Sequence, residues 1–328
     1  APRRSPRTRD PGAAGARRRR PGHRRAGVAW PARRPAGPGT GARRAGLAGA
    51  AGGADRGVDR VLLNTRTGPG SRGPDRRRRW RSTCTAGGRN RTRALAAVRP
   101  GRLLAHRNPD AGHPDGPAWD DDEHEVRRWC RLLHAYGLPA DPGDLALRRP
   151  AAGGVPAGLT LLHPGSKIPA KRWPARRFAG LARELTARGH RVAVTGSAGE
   201  RALAERVARD GGLPPEAVLA GRTGLAELAA LVAGARLVVS GDTGVAHLAT
   251  GYGTASVVLF GPVPAAHWGP PADRPRHRAL GAIEPTHVNP DSTGSRGVGS
   301  HPTLNAIGID EVVAAVADVE RVSGAVAA

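Results

Sequence analysis

The chain has 328 residues, with 52 Lys or Arg against 27 Asp or Glu and a formal net charge of +25. The excess is confined to one end: residues 1–100 hold 27 Arg, no Lys, four Asp and no Glu (net +23), which leaves 25 basic and 23 acidic residues in 101–328 (net +2). This length allows one or two domains, no run of 18 apolar residues offers a membrane span, and two cysteines, Cys84 and Cys130, lack metal or disulfide-framework spacing and point to a reducing, cytoplasmic setting.

Residues 1–94 are rich in Arg, Pro, Gly and Ala and hold no sustained period of 2 or 3.6. Such composition buries too little apolar surface to offset chain entropy, so an irregular or disordered segment is expected there. Arginines without an apolar h-region argue against a secretory signal. The lack of methionine, even at position 1, points to a trimmed or misplaced start.

Regular patterns begin near residue 120. Asp120 to Glu123 precede Val126, Trp129, Leu132, Leu133 and Tyr136 at helical spacing, and Gly137 and Pro139 end the run. Acidic residues suit a helix start; the alternative for this cluster is a metal site. Residues 140–157 read as a linker. Strands are then expected at Leu159–Leu162, His190–Val194, Val218–Leu219, Leu237–Val239 and Ser256–Phe260. Helices are expected at Ala175–Arg188, Gly199–Arg209, Leu225–Ala233, Val245–Thr250 and Ile309–Val322. This alternation implies a parallel sheet covered on both faces, with ligands at the carboxyl ends of its strands.

Three segments follow strands as that rule requires: His163-Pro164-Gly165-Ser166, Thr195-Gly196-Ser197 and Gly241-Asp242-Thr243-Gly244. The last turns a strand into a helix, which presents free N–H groups and a positive helix end to a phosphate or diphosphate. Lys167 and Lys171 are the chain's two lysines beside 50 arginines. Lys171 could hold a phosphate or ribose as a point charge; the alternative is a solvated surface lysine. Glu200 could accept from ribose hydroxyls or cap its own helix. Asp242, whose carboxylate would repel phosphate, could bind sugar hydroxyls or shape the turn. His247 is a ligand contact or a buried structural histidine. No Gly-x-Gly-x-x-Gly fingerprint, Walker A loop or Ser/His/Asp hydrolase motif stands out.

His163-Pro164-Gly165-Ser166, Lys171-Arg172-Trp173-Pro174, Phe178, Leu181-Ala182, Val194-Thr195-Gly196, Glu200, Ser240 to Ala249, Phe260-Gly261-Pro262 and His267-Trp268-Gly269-Pro270 together resemble glycosyltransferase family 9, whose best-known members are ADP-heptose:lipopolysaccharide heptosyltransferases. The resemblance covers about 95–322 and is specific in 159–270. It implies an α/β GT-B architecture in which a Rossmann-like, parallel-sheet C-terminal domain (155–322) binds a nucleotide-sugar, an ADP-sugar by preference. Residues 95–154 become a remnant of the N-terminal acceptor domain with its linker. Donor contacts are implied at Ser166, Lys171, Glu200, Asp242, Thr243, Gly244 and His247, and Thr195 and Gly196, placed at a strand end, are expected to join them. The family's chemistry implies transfer of a heptose-like sugar to a glycan or glycolipid hydroxyl with inversion, without metal or cofactor, near a membrane surface, with no specific nucleic acid as partner.

The resemblance implies a carboxylate base in an N-terminal domain that opens with a strand, a Gly-Asp turn and a helix, and nothing in residues 1–90 reads so. The catalytic base therefore stays unassigned. One set of GC-rich codons for Arg81 to Thr92, read from the third base, translates as Val-Asp-Leu-His-Gly-Arg-Gly-Pro-Glu-Ser-His, which resembles the family's N-domain strand and loop. A shifted frame upstream of about Thr92 would account for the Arg excess and the missing base, and implies a degraded N-terminal domain and impaired transfer. Two other readings remain: an Arg-rich arm that grips nucleic acid or another polyanion, and a sugar-nucleotide-binding domain without catalysis.

Overall fold

A computed structural model describes residues 83–85, 89–97, 102–150, 154–282 and 300–327. The expected irregular segment lies outside the described residues up to position 82. Its last part, drawn to residue 94, contains strand β1 (Thr83–Thr85) and most of helix α1 (Arg89–Ala96). β1 pairs in parallel with β2 (Leu103–Ala105) across α1. Three residues carry no readable alternation, and it is a partner 20 positions away that makes β1 a strand.

Helix α2 (Glu125–Ala135) follows the acidic run. Arg128, with a buried side chain, organises that run. Its guanidinium donates to the carbonyls of Asp120 (2.8 Å), Asp121 (3.3 Å) and Glu123 (2.6 Å) and to the Glu125 carboxylate (2.5 Å), and lies 4.2 Å over the Trp119 ring. The acidic residues are thus wound around a cation of the chain itself, and Glu123 also pairs with Arg131.

The body that follows contains β3 (Thr160–His163), α3 (Ala175–Ala187), β4 (Val192–Val194), α4 (Arg201–Asp210), α5 (Leu225–Ala233), β5 (Leu237–Gly241), α6 (Gly244–Tyr252), β6 (Ser256–Phe260), the one-turn α7 (Ala265–Trp268), β7 (His277–Gly281), α8 (Pro302–Ala306) and α9 (Ile309–Ala327). Five strands form an all-parallel sheet in the order β4-β3-β5-β6-β7. The expected strand at Val218–Leu219 is reduced to an isolated parallel bridge, Val194 to Val218, at the β4 edge. Counted with it, the sheet has the doubly wound order 3-2-1-4-5-6, which reverses between β3 and β5 and opens a crevice at their carboxyl ends. β7, α7 and α8 were not legible; in β7 the run His-Arg-Ala-Leu-Gly is edge-like and only partly buried.

The strands alternate between two apolar layers. Leu162, Val194, Val239, Val257 and Leu259 face α3, α4 and α9 through Phe178, Leu181, Leu185, Val207, Val312 and Val316. Leu161, Ala193 and Val238 face α5 and α6 through Leu231, Val245 and Ala249. Burial on both faces is why β3, β5 and β6 read as near-continuous apolar runs. Among the described residues no helix is long and apolar enough to cross a membrane.

Candidate active site

The crevice between β3 and β5 is set by register: His163, the last residue of β3, lies beside Ser240 of β5. Beyond β3 the chain folds back on itself. The Arg172 guanidinium donates twice to the Ser166 carbonyl (2.8 and 2.6 Å), and the Lys171 N–H donates to the Ile168 carbonyl (3.0 Å). Trp173, buried against Phe178 with ring centroids 5.0 Å apart, anchors the loop, and its Nε1 donates to the Ile307 carbonyl (3.2 Å). The loop lies directly over the end of β5: a Cβ on Gly241 would fall 2.9 Å from the Lys171 carbonyl oxygen. Glycine is required there by close approach of backbone.

This fold-back delivers the Lys171 side chain to the turn after β5. Its Nζ lies 2.6 Å from Asp242 Oδ2, with the two side chains 17% and 8% exposed. His247, one turn into α6, places Nε2 3.8 Å from Asp242 Oδ1 with its ring half exposed. Lost hydration lowers the His247 pKa; Asp242 opposes that shift and Lys171 adds to it. The imidazole is therefore neutral at pH 7, a polar partner instead of a second cation. Thr243 is the extended residue before α6, yet its side chain makes no capping bond, and its buried Oγ1 has no hydrogen-bond partner. A buried hydroxyl without a partner, at a helix N-terminus and one residue after the carboxylate that holds an ammonium, is a place where an incoming anion would satisfy groups the protein leaves open.

The β3 and β4 side of the crevice is more closed. His163 Nδ1 and Thr195 Oγ1 are 2.9 Å apart, both buried, and the Thr195 N–H donates to the Leu162 carbonyl. Burial lowers the His163 pKa, opposed by the Glu200 charge. Thr195 thus has its hydroxyl and N–H engaged within the sheet. Glu200 Oε2 accepts from the Ser197 N–H and hydroxyl, each at 2.8 Å, as a capping box. Burial would raise the Glu200 pKa, but those two bonds, then His163 and Arg172, bring it below its ordinary value. Its other oxygen, Oε1, faces Gly165, where an added Cβ would come within 2.3 Å of it. Gly196 is hemmed in by Ala220 and Glu200.

Ser166, Lys171, Glu200, Asp242, Thr243, Gly244 and His247 therefore follow one edge of the sheet, across the neighbouring strands β4, β3 and β5. Lys171, Asp242 and His247 are in mutual reach. Arg172, Ser197 and Trp268 were given no role from sequence. Trp268 belongs to the rim because its ring lies 6.1 Å from that of His247. The sole prior signal for Trp268 was the segment His267-Trp268-Gly269-Pro270.

A sequence profile of glycosyltransferase family 9 (heptosyltransferase) matches residues 118–292, more than half of the chain. The chain belongs to glycosyltransferase family 9. It is a transferase by that membership, and the match spans the whole rim just described. Solved structures share the fold of this family 9 chain. ADP-heptose lipopolysaccharide heptosyltransferase II of E. coli is 20% identical, with a TM-score of 0.58 over 74% of this chain and 77% of that one. E. coli heptosyltransferase WaaC, solved with ADP, is 19% identical, with a TM-score of 0.53 over 74% and 73%. A family 9 glycosyltransferase of Veillonella parvula is 19% identical, with a TM-score of 0.51 over 71% and 78%. No curated protein sequence matches the chain significantly.

Proposed function

We propose that residues 155–322 are the donor domain of a GT-B glycosyltransferase, and that the crevice between β3 and β5 binds a nucleotide-sugar, by preference an ADP-sugar carrying a heptose. The observation that carries this reading is the Lys171–Asp242 pair, 2.6 Å apart, beside the unsatisfied Thr243 hydroxyl at the start of α6. Support for adenine and heptose comes from one fold relative, WaaC, solved once with ADP and once with ADP-2-deoxy-2-fluoro heptose.

In this reading the diphosphate lies against the α6 N-terminus, where Gly244 lets the backbone approach. Lys171 takes up the negative charge that grows on the leaving diphosphate, which is charge stabilisation by a group already in place. Ser166 and neutral His247 add hydrogen bonds. Asp242 keeps the ammonium aimed into the crevice and turns its free oxygen toward sugar hydroxyls, away from the phosphates it would repel. Glu200 meets the ribose through Oε1 while Oε2 stays in its capping box; Thr195 and Gly196 shape the floor.

An acceptor hydroxyl on a glycan or glycolipid attacks the sugar carbon from the face opposite the diphosphate, so configuration inverts. That attack needs a base from the acceptor side, for which residues 95–154 contribute a remnant of the N-terminal domain. General-base help is worth ~10²–10⁴-fold. We therefore expect this chain to bind donor and to transfer sugar slowly. The two cysteines, without metal or disulfide spacing, support a reducing compartment.

Calorimetric titration of the full chain with ADP-heptose, ADP, and UDP- and GDP-sugars tests the reading. Saturable binding of the ADP ligands, with ADP-heptose tighter than ADP, is expected. Binding of none of them contradicts it.

A further inference from the structure

We propose that His124 is a positioning residue of the donor site, a latch that ties helix α2 to the short turn holding Trp268 beside His247. The idea rests on the donor reading above and extends it to a residue that precedes the five-stranded body in the chain. His124 Nε2 lies 3.0 Å from the carbonyl oxygen of Gly269, 145 positions away. Its Nδ1 lies 3.2 Å from the Val126 N–H. An N–H can only donate and a carbonyl can only accept, so Nδ1 carries the lone pair and Nε2 the proton. One neutral ring thereby caps α2 and reaches the donor domain.

What it reaches is a turn that cannot place itself. α7 has four residues, far too few for a helix to be stable alone. Its first N–H is fixed by the Ala282 carbonyl (2.8 Å). Its far end closes through the Gly269 N–H to the Ala265 carbonyl (2.6 Å), where a Cβ on Gly269 would lie 2.6 Å from that same oxygen. The Gly269 carbonyl then points out to His124. Between these anchors stands Trp268, beside His247, which faces Asp242 at 3.8 Å; Asp242 in turn holds Lys171. His124 is itself held firmly, because the residues before it wrap the Arg128 guanidinium. An unbroken run of contacts thus joins the acceptor-side segment to the donor-binding ammonium.

Two substitutions separate the latch from the cap. In His124→Asn the amide oxygen replaces Nδ1 and still accepts from Val126, but nothing reaches Gly269. In His124→Gln the amide N–H₂ extends to the position of Nε2 and can donate to Gly269. In the full chain, hydrogen exchange of residues 262–269 is expected to rise about three- to tenfold in the Asn variant, the factor one hydrogen bond supplies, with melting temperature unchanged. The ADP-heptose affinity is expected to fall by about the same factor. The Gln variant should restore both, and in a Trp268→Ala background the Asn effect on affinity should vanish. Unaltered exchange in His124→Asn, equal losses in Asn and Gln, or full additivity with Trp268→Ala overturns the proposal. If the unaltered protein binds no ADP-heptose, the donor reading fails and takes the latch's role with it, while the exchange result still decides whether the contact exists.

Discussion

The two parallel sheets among the described residues are held by different forces. In the five-stranded body, β3, β5 and β6 are buried end to end, and their side chains fill apolar layers on both faces. In the smaller sheet β1 and β2 are three residues long, and between residues 102 and 150 order comes from polar side chains that seek backbone oxygens. Arg128 binds three carbonyls, Arg102 binds the Tyr136 carbonyl, the Tyr136 hydroxyl binds the Ala105 carbonyl, and Arg149 binds those of Ala233 and Tyr252. Where apolar surface is scarce, arginine-to-carbonyl bonds do the joining. Such bonds are directional and local, whereas apolar burial is shared by the whole body.

Paired substitutions can break that contrast. Leu161→Ala removes a fully buried side chain from β3 and is expected to lower global stability by about 2–5 kcal/mol. Arg128→Ala removes the donor to three carbonyls and leaves the Glu125 carboxylate with only the Trp129 N–H, but its effect is expected to stay local. Hydrogen exchange should rise across 118–135 while the five-stranded body keeps its melting transition. A global collapse in the Arg128 variant, equal to that of Leu161→Ala, would mean that the two regions fold as one unit.

Acid sharpens the contrast, because the five-stranded body buries neutral histidines. His277, hydrogen-bonded to Ser256 at 2.8 Å, has its pKa pushed down from 6.5 to about 4, first by burial and then by Arg274 and Arg276. The unfolded chain therefore binds a proton in this window that the folded chain refuses. Its stabilising contribution is complete above pH 6.5 and is lost as pH falls toward 4, on the order of 3 kcal/mol in all. Thermal melts of the unaltered protein and His277→Asn should converge as pH drops from 7 to 4. Parallel curves would show that His277 does not sense this range.

A smaller effect is expected at Gly165. Alanine there meets the end of the Glu200 side chain, a flexible group that can shift, so stability should change by no more than about 1 kcal/mol. The displaced carboxylate should weaken ADP binding if Glu200 meets the ribose. Unchanged affinity would leave Glu200 as a capping residue alone.

How much was legible follows the same division. The β3, α3, α5, β5 and β6 runs were readable because both-face burial writes uninterrupted apolar strands between amphipathic helices. The rim residues were readable because a parallel sheet puts its loops at the carboxyl edge, and the family motif named the residue types. The Lys171–Asp242 pair was not: 71 positions separate its members, and only the fold-back fixed by Arg172 and Gly241 brings them together. Asp242 looked like a misplaced charge until its partner was known. Glu200 carries both readings in the sequence; the structure shows the capping bonds at Oε2 and leaves Oε1 as the oxygen for the proposed ribose contact. β1 and β7 escaped because short or edge strands depend on a neighbour, which no local pattern records.

The central claim is that Lys171, held by Asp242 at the switch point of the sheet, is the cation that receives the donor's diphosphate. Calorimetric titration of ADP-heptose into the unaltered chain and into Lys171→Ala tests it most directly. Loss of a hydrogen-bonded charge should weaken binding by about 1.5–3 kcal/mol, with the fold intact by circular dichroism. Equal affinity in the two proteins would contradict the account.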